Sequence, residues 1–182
     1  ISARQDADRY YATDDFADQA IRYINTHRAV TPDKPFFVQL AFSGAHSPLH
    51  AKPEDRDAFK GKYDKGWDAV RRERLARQQA MGVVAPTTRL PPLSKGAEPW
   101  DGLSPEQRAV YARYMEVYAA TVTGLDTNLG RLMATLDELG IRDNTMIVVM
   151  SDNGGSPEGT DDGTPNVFAS AYGRPVPVTQ AA

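Results

Sequence analysis

The 182-residue chain has the length of one domain, and its 41% hydrophobic and 25% charged residues are typical of globular proteins. The formal charge of -3 gives no basis for a nucleic acid or an anionic membrane as a partner. No apolar run approaches the roughly 20 residues of a membrane span, and the absence of cysteine excludes disulfides and thiolate metal sites.

The first predicted element is an amphipathic helix that begins near Thr13. Thr13 is a candidate N-cap, and the carboxylates of Asp14 and Asp15 suit the positive end of the helix dipole. Apolar side chains then recur at helical spacing as far as Ile24. The helix dipole therefore explains the two adjacent aspartates better than a catalytic carboxylate pair does.

Two segments have the pattern of strands that are covered on both faces. Residues 36–42 and 145–150 are apolar at nearly every position, which is typical of a parallel sheet. Between them we predict a short helix from Pro53, a charged helix over residues 68–81 and an irregular, proline-rich connection over residues 84–100. This order of elements predicts an α/β domain.

The longest predicted helix begins after Ser104. Ser104 is followed by proline at the first helical position and by glutamine three residues after the cap, which is the pattern of a capping box. Apolar residues recur every three or four positions as far as Leu139. They predict one long helix, or two in line with a weak point within residues 124–130, and Gly140 is a candidate C-terminal cap.

Candidate metal ligands directly follow the second predicted strand. In open α/β sheets, ligands bind beyond the carboxyl ends of the strands, and Asp152 and Asn153 lie at such an end. Carboxylate and carboxamide oxygens suit a hard cation such as calcium or magnesium. The alternative is an ordinary turn, because Asp-Asn-Gly is also common turn chemistry.

A histidine occupies the loop after the first predicted strand. His46 could donate to an anionic substrate or act as a general acid. The alternative is a loop histidine that is hydrogen-bonded to the backbone. The case for His50 is weaker, and His27, near a helix end, is expected to be structural.

Three stretches together resemble the sulfatase family. PFFVQLAFSGAHSPLHAKPE (residues 35–54) is similar to the family's strand and His-x-Pro-Leu loop, and GKYDKGWDAVRRERLARQQAMGVV (residues 61–84) is similar to a helix of bacterial arylsulfatases. YARYMEVYAATVTGLDTNLGRLMATLDELGIRDNTMIVVMSDNGG (residues 111–155) resembles the family's long helix, buried strand and metal loop. The three stretches occur in consistent order, which makes the resemblance specific.

The resemblance implies a fold and a division of the chain. It implies an incomplete α/β fold, a parallel-sheet sandwich of the alkaline phosphatase and sulfatase type. Residues 1–155 would then be part of a sulfatase catalytic domain, and residues 156–182 an irregular, truncated tail. The start at Ile1, without a leader, adds to the expectation that the chain is a fragment whose compartment the sequence does not reveal.

The resemblance also implies an activity and site residues. The family hydrolyses sulfate esters, so a small-molecule sulfate ester is the expected substrate. Asp152 and Asn153 match the positions that ligate a single divalent cation, for which calcium is the first candidate. His46 matches the histidine that contacts the sulfate group and is a proposed acid for the leaving group.

The departures from the family pattern leave alternatives. The family's nucleophile is a formylglycine made from the first residue of a Cys/Ser-x-Pro-x-Arg motif, and this sequence has no such motif. We therefore expect the isolated chain to be inactive, and its apolar strands to make it aggregate or loosen. The alternatives are a phosphonate or phosphate ester hydrolase of the same superfamily, or a non-catalytic, truncated chain.

Overall fold

Five α-helices form most of the regular structure in the computed structural model, which describes residues 10–154 and 167–174. In chain order they are α1 (Ala12–Val30), α2 (Pro53–Asp57), α3 (Gly66–Ala80), α4 (Pro105–Glu138) and α5 (Val167–Ala171). Short 3₁₀ turns lie at Trp100–Gly102 and Arg142–Asn144. Within the described ranges, no helix combines the length and the apolar character that a membrane crossing requires.

The start of α1 differs from the prediction by two residues. Tyr11, and not Thr13, occupies the N-cap position. Thr13 is the second residue of the helix and is buried. Asp14 and Asp15 lie in the first turn, as the dipole argument predicts. Residues that cap a helix are usually recognised in a sequence as Ser, Thr, Asp or Asn. Tyr11 is none of these, and its side chain makes no capping hydrogen bond.

The predicted long helix is confirmed as α4, which runs for 34 residues without a break. At its start, the Ser104 hydroxyl accepts the Gln107 N–H at 3.2 Å, and the Gln107 side chain accepts the Ser104 N–H at 2.9 Å. At its end, Gly140 has a φ of +64°, and the N–H groups of Gly140 and Ile141 donate back into the last turn. Both predicted caps are therefore present.

The buried face of α4 is only partly the predicted apolar stripe. Its buried residues are Ala112, Glu116, Val117, Ala120, Thr121, Gly124, Asn128, Thr135 and Leu136. Tyr118 and Val122, which belong to the predicted stripe, are 44% and 45% exposed. Periodicity gives the approximate direction of the face, but the contacts of polar residues such as Asn128 decide which of them are buried.

The long helix α4 makes the most extensive contacts between helices in the described part of the chain. Helices α1 and α2 both lie against it. Small buried residues occur on both sides of the α1–α4 contact, among them Ala17 and Ala20 on α1 and Ala120 on α4. A separate apolar cluster lies where α3 meets the start of α4, with Trp100 at its centre.

The two predicted strands are not buried. Residues 36–42 and 145–150 form no strand ladder within the described part of the chain, and Phe37 and Met146 are 89% and 90% exposed. The prediction of burial is therefore wrong for these residues. A ladder is a property of two paired strands, and an apolar pattern in one segment does not specify its neighbour, so the sheet itself stays a prediction.

The predicted boundary at Gly155 and the irregular tail fall largely outside the described residues. Within the tail, residues 167–174 are described, and they contain the short helix α5. The division into residues 1–155 and 156–182 therefore stays a prediction.

Candidate active site

His46 lies on the loop of residues 43–52, which leads from the extended segment 36–42 to α2 and is called here the His46 loop. Two hydrogen bonds shape the loop locally. The His46 N–H donates to the Ser43 carbonyl at 3.0 Å, and the ring Nδ1 lies 2.7 Å from the Ser47 carbonyl oxygen. The His46 residue is exposed.

The contact with Ser47 decides which nitrogen of His46 can exchange a proton. A carbonyl oxygen only accepts, so Nδ1 must carry a hydrogen in both the neutral and the charged ring. The proton that the ring gains or loses is then the one on Nε2. The loop backbone thus orients His46 as a side chain that can deliver a proton from Nε2.

The end of the His46 loop is tied to two helices. Lys52 Nζ lies 2.7 Å from Asp14 Oδ2 on α1, and the Asn128 amide on α4 donates to Asp14 Oδ1 at 2.8 Å. Asn128 is completely buried, and it also donates to the Gly124 carbonyl at 2.9 Å. A half-buried ion pair and a buried amide therefore connect the loop to the α1–α4 contact.

The charges of this connection support one another. Burial alone would raise the pKa of Asp14, but the hydrogen bonds from Lys52 and Asn128 outweigh burial and hold that pKa below its ordinary value. Burial alone would lower the pKa of Lys52, but its hydrogen bond to Asp14 and the Asp14 charge raise it. Both side chains are therefore charged over the whole neutral range.

Asp152 and Asn153 lie together in an exposed turn after the extended segment 145–150. The Ser151 hydroxyl donates to the Asn153 carbonyl at 2.7 Å, and the Asn153 amide nitrogen donates to the Gly154 carbonyl at 2.6 Å. Because its nitrogen is used in this way, the side-chain oxygen of Asn153 is the atom that can face a cation.

The donor set of this turn fits a hard cation only in part. Calcium takes six to eight oxygen ligands, and the side chains of Asp152 and Asn153 supply two kinds of them, a carboxylate and a carboxamide. Among the residues that the structure describes, no group of three or more His, Cys, Asp or Glu side chains is placed to hold a metal ion. The turn by itself could supply only part of a metal shell, and the metal site stays a prediction.

The sequence pattern identified the loops but not the residues that hold them. The structure places Asp152 and Asn153 in one turn. It pairs Lys52, at the end of the His46 loop, with Asp14 of α1, which in turn accepts a hydrogen bond from Asn128 of α4. Lys52 carries no sequence signal of its pairing with Asp14. A polar residue such as Asn128 within an apolar helical stripe was the one available indication of a buried contact.

Two comparisons decide to which family these residues belong. The sequence model of the Sulfatase family matches residues 2–177. An arylsulfatase of Klebsiella aerogenes is 39% identical over 156 residues, which cover 84% of this chain and 33% of that protein. The chain belongs to the sulfatase family. Family membership implies an alkaline phosphatase-like fold. The residues that the structure describes contain no strand of the sheet of such a fold.

Further relatives agree with this sulfatase assignment. An uncharacterised sulfatase of Schizosaccharomyces pombe is 35% identical over 80% of this chain and 26% of its own length. An N-acetylglucosamine-6-O-sulfatase of Bacteroides thetaiotaomicron is 26% identical over 79% of this chain and 33% of its own length. The chain thus spans about a third or less of these curated relatives.

Proposed function

We propose that this sulfatase chain forms part of a hydrolase of sulfate esters, in which it supplies a general acid and two ligands of a divalent cation. The observation that carries the proposal is the orientation of His46. Its Nδ1 is held 2.7 Å from the Ser47 carbonyl of an exposed loop position, so Nε2 is the nitrogen that would transfer a proton. An isolated loop histidine without this contact could donate from either nitrogen.

The reaction requires a proton where the ester bond breaks. When the bond between sulfur and the ester oxygen is cleaved, that oxygen leaves with the bonding electrons, and Nε2 of His46 transfers its proton to it. The leaving group then departs as a neutral alcohol or phenol. The attacking nucleophile would come from outside these 182 residues, because they contain no cysteine and no Cys/Ser-x-Pro-x-Arg motif.

The Asp152–Asn153 turn would hold a calcium ion together with further ligands. When bound, the cation supplies positive charge that offsets the negative charge on the sulfate oxygens. The carboxylate of Asp152 and the side-chain oxygen of Asn153 would fix that charge beside the substrate. Phenol sulfates are the proposed substrate class, because the Klebsiella aerogenes relative with 39% identity is an arylsulfatase.

A series of leaving groups tests the role of His46. In the full-length gene product, we expect His46→Ala to lower kcat/KM about a hundredfold or more for alkyl and unactivated phenyl sulfates. For 4-nitrophenyl sulfate the loss should be much smaller, because a good leaving group needs little protonation. His50→Ala removes a second exposed histidine of the same loop. It is the matched control and should change neither value by more than about threefold.

A uniform loss across the series would contradict the general-acid role, because the missing group would then not respond to the basicity of the leaving oxygen. Equal losses in His46→Ala and His50→Ala would contradict the assignment to His46.

Calcium titration calorimetry tests the proposed metal turn without an activity assay. We expect Asp152→Ala to weaken calcium binding by the full-length gene product at least tenfold, because a charged ligand is removed. Asp143→Ala removes a similarly exposed aspartate from the nearby 3₁₀ turn and serves as the control. Unchanged calcium affinity in Asp152→Ala would remove this residue from the metal shell.

A further inference from the structure

Side chains that are far away in the sequence lie close to the His46 loop on both sides of His46. On the near side, a Cβ placed on Gly44 would lie 3.8 Å from the Leu125 side chain of α4. On the far side, the Tyr11 hydroxyl donates to the His50 carbonyl at 3.2 Å. The stretch that contains His46 therefore lies close to Leu125 of α4 at one end and is hydrogen-bonded to Tyr11 at the other.

Tyr11 reaches the loop from the N-cap position of α1, ahead of the first helical turn. Besides its hydrogen bond to His50, its ring lies 5.4 Å from the ammonium group of Lys52, which adds a cation–π contact at the end of the loop. One aromatic side chain thus contacts the loop at two positions, and Asp14, in the first turn of α1, holds Lys52 by an ion pair of 2.7 Å.

The depth at which Tyr11 sits is set by Gly124 of α4. A Cβ at position 124 would lie 3.0 Å from the Tyr11 hydroxyl oxygen and 3.3 Å from its Cε1. Gly124 is buried, and it lies within a helix, where glycine is less favourable than alanine because it loses more backbone freedom on folding. The close approach of Tyr11 gives a reason for glycine at this position.

We propose that Tyr11, seated on Gly124, is a positioning residue for His46. The inference rests on the proposed function, because it assigns Tyr11 the task of holding the loop so that Nε2 of His46 meets the leaving oxygen. Tyr11 acts through the backbone of the loop, at His50, and not by contact with the reacting atoms.

Two substitutions in the full-length gene product test this role, and each has a matched control. Tyr11→Phe removes the hydroxyl that binds His50, and Gly124→Ala crowds Tyr11 from beneath. The controls are Tyr23→Phe on α1, where the side chain is 58% exposed, and Gly130→Ala on α4, where an added Cβ has no neighbour within 4 Å.

We expect both test variants to lower kcat ten- to a hundredfold, on the order of the loss from a small misalignment of a catalytic group, with little change in KM. The loss should be greater for poor leaving groups, since they depend most on the proton. Because the Tyr11→Phe substitution removes the crowded oxygen, the double variant Tyr11→Phe/Gly124→Ala should be no worse than the more impaired single variant.

Hydrogen exchange of the loop peptide gives a readout that does not depend on activity. The amide of His46 is protected by its bond to the Ser43 carbonyl, and a loosened loop should exchange it faster in both test variants and in neither control. Unchanged exchange would overturn the contact, and faster exchange with unchanged kcat would overturn the positioning role.

A parent protein that hydrolyses no sulfate ester would overturn the proposed function, and the catalytic role of Tyr11 with it. The exchange comparison would still decide separately whether Tyr11 and Gly124 hold the loop.

Discussion

Glu116 is a carboxylate on the buried face of α4, outside the apolar stripe that the spacing of hydrophobic residues predicts. It is 6% exposed, and both of its oxygens have partners. Oε1 accepts the Gly61 N–H at 2.7 Å, and Oε2 accepts from the Arg113 guanidinium at 2.8 Å. Glu116 thereby ties the connection between α2 and α3 to α4, and its burial is tolerated because it is paired.

We predict that Glu116→Ala lowers the free energy of unfolding of the full-length gene product by about 1–3 kcal/mol, since it leaves the Gly61 N–H and the Arg113 charge without their acceptor. Glu138→Ala, at the exposed C-terminal end of α4, is the control, and it should change stability by less than about 0.5 kcal/mol. Chemical denaturation measures both values. Equal effects of the two substitutions would show that the Glu116 contacts contribute nothing beyond helix propensity.

The ion pair of Asp14 and Lys52 predicts a dependence of stability on pH. The hydrogen bonds from Lys52 and Asn128 hold the pKa of Asp14 below its ordinary value, so the stabilisation is fully present above the pKa of the unfolded state. The stabilisation is lost as the pH falls through the folded pKa. We expect Asp14→Asn to cost about 1 kcal/mol at pH 7 and progressively less in acid, as measured by denaturation at several pH values.

Asp15→Asn is the matched control for this prediction. Asp15 shares the first turn of α1 and therefore the interaction with the helix dipole, but the salt bridge to Lys52 is made by Asp14. A difference between the two variants that does not shrink in acid would show that the Asp14 charge is not the cause.

At the scale of elements, the junction of α3 and the 3₁₀ turn at Trp100 depends on one glycine. Gly66, the first residue of α3, has a φ of +79°, and a Cβ there would lie 2.1 Å from the Trp100 ring. Trp100 in turn packs edge-on against Trp67, with ring centroids 4.9 Å apart, and the backbone N–H of Trp100 donates to the Asp68 carboxylate at 2.9 Å. The start of the helix and the tryptophan therefore fit together only without a side chain at position 66.

We predict that Gly66→Ala destabilises this junction by several kcal/mol, on the order of the largest single-residue effects, because both the backbone and the ring must move. Gly82→Ala separates the two causes. Gly82 also has a positive φ of +71°, but an added Cβ would have no neighbour within 4 Å, so only the backbone cost of roughly 1 kcal/mol applies. Near-equal melting temperatures for the two variants would contradict the clash with Trp100.

The sequence predicts elements whose ends are set by contacts within a few residues. It does not predict elements that depend on contacts with distant segments. Ser104 and Gly140 define the ends of α4 through contacts within a few residues, so the sequence shows them directly. The segment 145–150 depends on neighbouring strands that its own pattern does not name. In the same way, the loop of His46 is identified by its place after an apolar segment, whereas Tyr11 and Asp14, which contact it, lie at the start of α1, far away in the sequence.

At the scale of the whole molecule, the exposed apolar segments predict association of the isolated 182-residue chain. Val148, Val149 and Met150 are 71%, 72% and 80% exposed in consecutive positions. A contiguous apolar segment with open backbone groups favours pairing with another chain. We expect light scattering during gel filtration to show a mass that increases with concentration.

A substitution in this segment and one outside it make that prediction specific. Val148→Lys should reduce the association, because it places a charge within the contiguous patch. Met81→Lys changes a side chain that is 73% exposed but lies at the end of α3, and it should have little effect. A monomeric parent with a cooperative thermal transition would contradict the prediction.

Hydrolysis of 4-nitrophenyl sulfate and unactivated phenyl sulfate by the full-length gene product, with calcium present, is the most direct test of the proposed function. We predict turnover of both esters, and in His46→Ala a loss concentrated on phenyl sulfate. Hydrolysis of aryl phosphonates or phosphates without sulfate ester hydrolysis would transfer the chain to the phosphoryl branch of the superfamily. No hydrolysis of any of these esters by a folded protein would contradict the proposed catalytic function of this sulfatase chain.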